Sequence, residues 1–289
     1  MYQNKTLIFF GAHPDDESFG VGATLAQYAA KGVKTYYVCS TGGEEGTVAP
    51  HFLEGFRSIK ELREHELKCA VEALGLAGLY YLGYRDSGMY GAASNQHPES
   101  LFKAPVDEVA GKMVTIIREL KPDVVITHDA GGGYGHPDHV ATHEGAKKAF
   151  FAANDPTQYP EAGAPFQPGK LYYPVRTRKL MKFMIKLMPL FGRDPHHFGR
   201  NGDIDLTKTT DDNSPVNAIV RLSKQSVETR MKAVRCHPSQ SSGTGTRPGL
   251  FRMMEFLQKL SGPRDSFMRE YPPPNRHREK DLFEGISKD

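Results

Sequence analysis

The sequence has few of the features that mark several large classes of protein. Its three cysteines, Cys39, Cys69 and Cys236, are widely spaced and form no CxxC pair, so we expect neither a disulfide framework nor a thiolate zinc site. No apolar run approaches the roughly 18 residues of a membrane span. No basic segment followed by a long apolar stretch marks a signal peptide. We therefore expect a cytoplasmic protein.

The sequence also has no feature that predicts binding of a nucleic acid or a nucleotide. The net charge of +3 is too small to predict a nucleic-acid partner. No G-x-G-x-x-G motif exists, and the glycine-rich run at 131–135 lacks the GxxxxGK[ST] pattern of a P-loop. Two alternatives without catalysis stay open: a nucleotide-binding Rossmann protein and a sugar-binding module.

Short apolar runs alternate with helical segments over the first half of the chain. This alternation predicts an α/β fold, with a mainly parallel sheet covered by helices on both faces. We expect residues 1–155 to form the catalytic core. Residues 156–289 are expected to form a C-terminal extension that completes the sheet and the pocket within the same compact unit. The predicted strands are 6–11, 33–40, 79–82, 124–127 and 171–175; the predicted helices are 22–31, 54–74, 106–120, 137–153 and 223–236.

Two parts of the extension have distinct compositions. Segment 176–200 is basic and methionine-rich, with apolar residues at helical spacing. It predicts an amphipathic helix packed on the core, with an apolar lid, a subunit contact or peripheral lipid contact as alternatives. The chain from Pro272 onward is expected to be a surface tail.

Two clusters of histidine and aspartate come after predicted strands. His13, Asp15 and Asp16 come directly after the first strand, and His136 and His139 come shortly after the fourth. The carboxyl ends of parallel strands meet at one edge of a sheet, where ligands bind. Imidazole and carboxylate suit zinc, so we expect one aspartate to bind a metal and the other to act as a general base. Helix capping explains one of these aspartates as well.

The second cluster leaves other interpretations open. His136, His139 and His143 could be surface histidines at the start of a helix. A two-metal phosphoesterase is an alternative, because further histidines and aspartates lie close in the sequence. Fe²⁺ or Co²⁺ would also accept two histidines and an aspartate. The candidates for two ions are His128, Asp129, His136, Asp138 and His139.

Two stretches together resemble a known family. GAHPDDESFGVGATLAQYAAKG and DAGGGYGHPDHVATH are similar to the PIG-L/LmbE family of zinc-dependent de-N-acetylases. The similarity covers roughly the first 150 residues and extends weakly to 236–240. The stretch GYRDSGM at 83–89 resembles the mycothiol-type GlcNAc-inositol deacetylases. The resemblance implies a Rossmann-like three-layer α/β/α fold, in agreement with the alternation of strands and helices.

The resemblance also implies roles for the residues of both clusters. His13, Asp16 and His139 would bind one zinc ion per chain. Asp15 would be the general base that takes a proton from water. His136 would stabilise the oxyanion or protonate the leaving amine.

Further residues match substrate-side positions of the family. Tyr134 would polarise the substrate carbonyl, Arg63 would contact sugar or phosphate, and Asp86 would bind a sugar hydroxyl. His237 is a weaker candidate for the substrate site. The implied activity removes acetyl from an N-acetylglucosamine-containing small molecule, such as GlcNAc-inositol, and releases acetate. A zinc amidase acting on a thiol S-conjugate and a chitooligosaccharide deacetylase are the alternatives, and a homo-oligomer is expected.

Overall fold

The computed structural model describes residues 2–175, 185–191, 194–196, 207, 214–241 and 262–286. Within these residues the strands form one seven-stranded mixed sheet. The strands are β1 (Thr6–Gly11), β2 (Lys34–Thr41), β3 (Gly78–Tyr84), β4 (Val124–Thr127), β5 (Lys170–Pro174), β6 (Ala218–Arg221) and β7 (Arg264–Tyr271). Their order is β3-β2-β1-β4-β5-β7-β6. The first five are parallel to one another, which confirms the expected mainly parallel sheet.

Helices cover both faces of this sheet. They are α1 (Asp16–Phe19), α2 (Gly22–Ala30), α3 (Ile59–Leu74), α4 (Val106–Leu120), α5 (Gly132–Gly135), α6 (Pro137–Ala152), α7 (Lys224–Arg235) and α8 (Pro238–Ser241). Helices α4 and α6 pack together over one face, while α2, α3 and α7 pack together over the other. The fold is therefore α/β with three layers.

Strand β1 lies at the centre of the core. Leu7 and Phe9 pack against the layer that contains α2 and α3, and Ile8 and Phe10 pack against the layer that contains α4 and α6. Successive side chains of a strand point to opposite faces, so a continuous apolar run is buried on both sides. Burying each such side chain contributes about 1.5–3 kcal/mol.

Helix α3 begins later than the sequence predicts. The predicted helix starts at residue 54, whereas α3 starts at Ile59. Ser58 is the N-cap, and its hydroxyl accepts a hydrogen bond from the Glu61 backbone N–H at 3.1 Å. This is half of an S-x-x-E capping box, a helix-start signal present in the sequence. The helix ends as predicted, with Gly75 in the left-handed conformation at φ 71°.

The extension contains strands that the sequence pattern did not predict. Strand β7 lies between β5 and β6 and is antiparallel to both. The predicted surface tail is wrong for part of its length, because Leu282 is 0% exposed and Phe283 is 7% exposed. The β7 sequence RDSFMREY carries four charged residues, so its strand conformation depends on pairing partners that are distant in the sequence.

A disulfide bond joins Cys69 and Cys236, which contradicts the expectation of no disulfide. The two residues are 167 positions apart, with a Cα–Cα distance of 5.7 Å. Spacing alone gave no sign of the pair, because the fold brings α3 and the end of α7 together. Cys39 is free and buried.

Segment 176–200 lies largely outside the described residues, so its helical, lid and lipid-contact interpretations stay predictions. Within the described ranges, none of the helices combines the length and the hydropathy that a transmembrane span requires.

Candidate metal centre and active site

The candidate site lies at the edge of the sheet where the strand order reverses. Strands β1 and β4 are parallel neighbours, and the chain continues from them toward opposite edges. Ligands of open α/β sheets bind outside the carboxyl ends of strands at such a reversal. His13 and Asp16 come after β1, and His128 comes after β4. His136 is the N-cap of α6, which carries His139. The topology therefore brings both sequence clusters to one place.

Three side chains converge with the spacing of metal ligands. His13 Nδ1 lies 3.2 Å from His139 Nε2. Asp16 Oδ1 is 3.5 Å from His139 Nε2, and Asp16 Oδ2 is 3.9 Å from His13 Nδ1. Ligands about 2.0–2.2 Å from a tetrahedral zinc ion lie roughly 3.3–3.6 Å from one another. The donor set and its spacing therefore fit a divalent metal held by three protein ligands.

Neighbouring groups orient both histidines toward this centre. His139 Nδ1 lies 3.1 Å from the Gly132 carbonyl oxygen, which can only accept, so Nδ1 carries the proton and Nε2 has a free lone pair. His13 Nε2 lies 3.3 Å from Asp138 Oδ2. Asp138 is fully buried and accepts from the Ser87 backbone N–H at 2.9 Å. Such carboxylate and carbonyl partners fix the ring orientation of metal-binding histidines.

Asp16 is also held in place. Its Oδ2 accepts hydrogen bonds from the backbone N–H groups of Ala12 and His13, both at 2.9 Å. His128 Nε2 lies 3.3 Å from the same oxygen, and its ring stacks on His139 with centroids 3.9 Å apart. With Oδ2 held by these groups, Oδ1 is the oxygen nearer His139.

Asp15 differs from Asp16 in conformation and in partner. Its backbone has φ 142° and ψ −21°, a sparsely populated region for a residue with a side chain. Its Oδ2 accepts from Arg63 Nη2 at 2.9 Å, and its side chain is 21% exposed compared with 4% for Arg63. Burial raises the pKa of the Asp15 carboxyl to about 6, while the positive charge of Arg63 opposes the rise. Asp15 is therefore a partly exposed carboxylate, and the buried guanidinium of Arg63 binds one of its oxygens.

His136 is arranged as a neutral hydrogen-bond donor. Its Nδ1 accepts from the Asp138 backbone N–H at 3.1 Å, so the proton of the neutral ring is on Nε2. Burial and the nearby His13 lower the pKa of His136 to about 3. The rings of His136 and His13 meet edge to face with centroids 4.5 Å apart.

Tyr134 contributes a hydroxyl-bearing ring to this region. Its ring centroid lies 5.1 Å from that of His139 and 6.0 Å from that of His136. Burial and the nearby carboxylates raise the pKa of the phenol, so its hydroxyl stays protonated and can donate.

Comparisons with known proteins agree with this geometry. Residues 8–150 match the family described as "PIG-L: GlcNAc-PI de-N-acetylase". The chain is 36% identical to the "1D-myo-inositol 2-acetamido-2-deoxy-alpha-D-glucopyranoside deacetylase" of Thermobifida fusca, over 90% of this chain and 94% of that protein. This chain belongs to the PIG-L family. PIG-L proteins are de-N-acetylases, so the protein is a hydrolase that acts on an amide bond.

A second relative and a solved structure are also similar to this PIG-L protein. A relative of the same name from Thermomonospora curvata is 35% identical over 98% of this chain and 97% of that protein. Among solved structures, the N,N'-diacetylchitobiose deacetylase from Pyrococcus horikoshii superimposes with a TM-score of 0.60 at 21% identity. It covers 93% of this chain and 86% of that chain, and at this identity it shows the fold alone.

The three residues predicted from the PIG-L resemblance to bind substrate are buried. Arg63 and Asp86 are 3% exposed, and His237 is 0% exposed. Asp86 Oδ1 accepts from the Gly88 backbone N–H at 2.8 Å and lies 3.7 Å from His13 Nε2. Contacts of these three residues with a substrate stay predictions.

A second set of donors surrounds the other nitrogen of His13. His13, Asp86, His136 and Asp138 also lie close enough together for a metal. All four are at most 7% exposed, and His13 would have to bind two ions through opposite ring nitrogens. The arrangement is better explained as hydrogen-bonded support for His13, which favours one ion over the two-metal alternative.

Two buried glutamates at this site were not among the predicted residues. Glu17 is 0% exposed and Glu66 is 3% exposed. Glu17 stands within the HPDDE stretch, but its spacing does not distinguish it from a helix-start acid. Its burial next to Asp15 is a property of the folded chain.

Proposed function

We infer that this PIG-L protein removes the acetyl group from the N-acetylglucosamine unit of a small-molecule glycoside, such as GlcNAc-inositol. The products are acetate and a free amine. The observation that carries the inference is the convergence of His13, Asp16 and His139, with donor atoms 3.2–3.9 Å apart, beside the separate carboxylate of Asp15. The names of relatives that match over almost the whole chain support the sugar and the inositol.

His13, Asp16 and His139 would hold one ion per chain. Zinc suits this donor set, and Fe²⁺ or Co²⁺ are the alternatives. When bound, the ion supplies Lewis-acid polarisation of the amide carbonyl and lowers the pKa of water.

Asp15 is the general base in this proposal. Its carboxylate takes a proton from the water that attacks the amide carbonyl. Arg63 holds one carboxylate oxygen at 2.9 Å, so the other oxygen is left for the water. The Asp15 carboxylate contacts Arg63, whereas the Asp16 carboxylate lies 3.5 Å from His139 Nε2. A general base of this kind contributes about 10²–10⁴-fold to the rate.

His136 stabilises the negative oxygen of the tetrahedral intermediate. The Nε2–H is its only proton in the neutral ring, because Nδ1 accepts from the Asp138 backbone. Giving that proton away would leave an imidazolate, so His136 donates a hydrogen bond and Asp15 returns its proton to the leaving amine. Tyr134 is a second candidate donor. Removing one such donor typically costs about 3–4 kcal/mol of transition-state stabilisation.

Asp86 tests whether the predicted sugar contacts exist. A contact with a sugar hydroxyl predicts that Asp86→Ala lowers kcat/KM for the glycoside far more than for a minimal N-acetyl amide. A role in holding His13 predicts equal losses on both substrates. The same pair of substrates can be applied to Arg63 and His237.

The decisive experiment is an amine- and acetate-release assay with zinc-loaded protein on GlcNAc-inositol, GlcNAc-malate and chitobiose, with metal content measured in parallel. We expect equimolar acetate and amine from a GlcNAc conjugate, and one metal per chain at full activity. Release from chitobiose alone would favour the chitooligosaccharide alternative. No release from any GlcNAc conjugate by metal-loaded protein would favour an amidase for thiol S-conjugates. Two metals per chain at full activity would contradict the single-ion site. Homo-oligomeric assembly and a cytoplasmic location stay predictions.

A further inference from the structure

A chain of buried polar contacts runs from the C-terminal extension to Asp15. Glu17 and His237 are both 0% exposed. His237 Nε2 lies 2.7 Å from Glu17 Oε1, and the other oxygen of Glu17 accepts from the Asp15 backbone N–H at 2.9 Å. The Glu17 carboxylate oxygen can only accept, so Nε2 is the nitrogen that donates. Nδ1 makes no hydrogen bond among the described residues and lies 3.9 Å from Glu66 Oε2. Glu17 therefore bridges His237 and the backbone of Asp15.

This bridge acts on a strained residue. Asp15 has φ 142°, and backbone conformations of this kind persist only when the surrounding structure holds them. The bond from the Asp15 amide to Glu17 supplies such a constraint next to the carboxylate that Arg63 orients. A buried carboxylate is itself unfavourable unless hydrogen-bond donors surround it. Among the described residues, three donors surround Glu17: the Asp15 N–H, the Ser18 hydroxyl at 2.6 Å and His237.

The segment that carries His237 is anchored at both ends to α3. Cys236 is bonded to Cys69, and Ser239 donates to Glu66 through its backbone N–H at 2.9 Å and its hydroxyl at 2.7 Å. The same helix supplies Arg63, which orients the Asp15 carboxylate. His237 is therefore fixed relative to the helix that positions the proposed base.

We propose that His237 is a positioning residue of the active site, which acts through Glu17 to hold the backbone of Asp15 in its productive conformation. His237 reaches Asp15 through Glu17, so the positioning role requires no contact of His237 with substrate or metal. The inference rests on the proposed function only in taking Asp15 as the general base.

A matched pair of variants tests the donor at position 237. His237→Met has a similar volume and no donor, whereas His237→Gln keeps an N–H near the position of Nε2. We expect His237→Met to lower kcat by about 10–100-fold with KM little changed, because a misplacement of about 1 Å near the chemistry costs up to 10²-fold. His237→Gln should recover most of that loss. Both variants should retain one metal per chain, because none of the three ligands is altered.

The variant Glu17→Gln tests the same proposal without a change at residue 237. The amide offers one acceptor oxygen to three donors, so at least one contact is lost and kcat should again fall. The double variant Glu17→Gln/His237→Met should be no slower than Glu17→Gln alone, because the two residues act in series. Wild-type kcat per metal-loaded chain in either single variant, or multiplicative losses in the double variant, would overturn the proposal.

Metal content and thermal unfolding distinguish positioning from a general structural role. Loss of metal together with a kcat that is normal per bound metal would mean that His237 only supports folding. The wild-type protein is the control for the function itself. If it releases no acetate, the proposed function fails, whereas a defect confined to the variants concerns only His237.

Discussion

Asp15 and Asp16 are neighbours in the chain but serve different chemistry because their backbones differ. Asp16 is the first residue of α1, and the amides of Ala12 and His13 hold one of its oxygens. Asp15 has a positive φ and turns its carboxylate to Arg63. The pair therefore supplies one candidate ligand and one candidate base from consecutive positions.

Asp15→Asn should separate these two roles. The amide cannot take the proton of the attacking water, so we expect turnover to fall by about 10²–10⁴-fold. Metal content should stay at one per chain, because His13, Asp16 and His139 are unchanged. Elemental analysis and acetate release measure both quantities on the same sample. A variant with near wild-type kcat would show that Asp15 is not the base.

Gly43 lies directly against the cation that orients Asp15. A Cβ at Gly43, where φ is 70°, would lie 2.2 Å from Arg63 Nη1. Gly55 is a matched control, since its φ is 86° and a Cβ there would meet nothing within 4 Å. Alanine at either position costs about 1–2 kcal/mol of stability through its left-handed backbone.

We expect only Gly43→Ala to lower kcat, because only that change displaces the Arg63 guanidinium. Unfolding curves should show the larger loss of stability for Gly43→Ala, because its Cβ also displaces a buried cation, and acetate release tests whether that displacement affects catalysis. Equal kcat values for Gly43→Ala and Gly55→Ala would mean that the position of Arg63 is not critical.

Helix α3 is the element that connects the core site to the extension. Arg63, Glu66 and Cys69 lie at intervals of three residues, so they occupy neighbouring positions along one side of the helix. They contact Asp15, Ser239 and Cys236 respectively. One helix thus positions the proposed base and anchors the segment that comes after α7.

The Cys69–Cys236 disulfide should contribute measurably to stability. It closes a loop across a separation of 167 residues, and removal of a native disulfide typically costs about 2–5 kcal/mol. We expect Cys69→Ser/Cys236→Ser to lower Tm, and dithiothreitol to lower the Tm of the wild type. The double variant should be insensitive to dithiothreitol, which is the internal control. An unchanged Tm in both tests would mean that the bond does not form or does not stabilise the fold.

At the scale of the whole molecule, a buried ionic cluster holds the parts of the extension together. Glu279 is 3% exposed and accepts from Lys170 Nζ at 2.6 Å and from the Tyr172 hydroxyl at 2.5 Å. Arg269 of β7 donates to the same carboxylate. The cluster joins β5, β7 and the residues after β7, so chain beyond residue 170 takes part in the same hydrogen-bonded sheet as β1.

Glu279→Ala should destabilise the fold by about 3–5 kcal/mol, because it leaves buried cations without their partner. Glu284→Ala is the control in the same segment. Its carboxylate lies 2.6 Å from Nε2 of the exposed His277, and exposed contacts of this kind contribute at most about 1 kcal/mol. Denaturant unfolding of both variants measures the difference. Comparable losses would show that the Glu279 cluster is no more important than a surface pair.

The sequence by itself determined the centre of the fold and the residues that converge there. Continuous apolar runs bounded by glycine or turn residues predict β1 and β4, and the loops after parallel strands lie at one edge of the sheet. That argument brings the two clusters of histidine and aspartate together without knowledge of any distance, and the resemblance to the PIG-L/LmbE family implies His13, Asp16 and His139 as the ligands among them. The argument succeeds because a buried strand is recognised from its own apolar run, and the residues after the run then lie at the carboxyl end of that strand.

Only the tertiary structure decided the contacts that the extension makes, both within itself and with the core. Strand β7, the Cys69–Cys236 bond and the Glu17–His237 pair depend on partners far away in the sequence. Charged residues in β7 favour a strand only when β5 and β6 supply backbone hydrogen bonds. A carboxylate such as Glu17 acquires its role only when folding removes water and leaves three donors around it. A local sequence pattern does not show which distant side chains will supply hydrogen bonds to a carboxylate once folding has removed it from water.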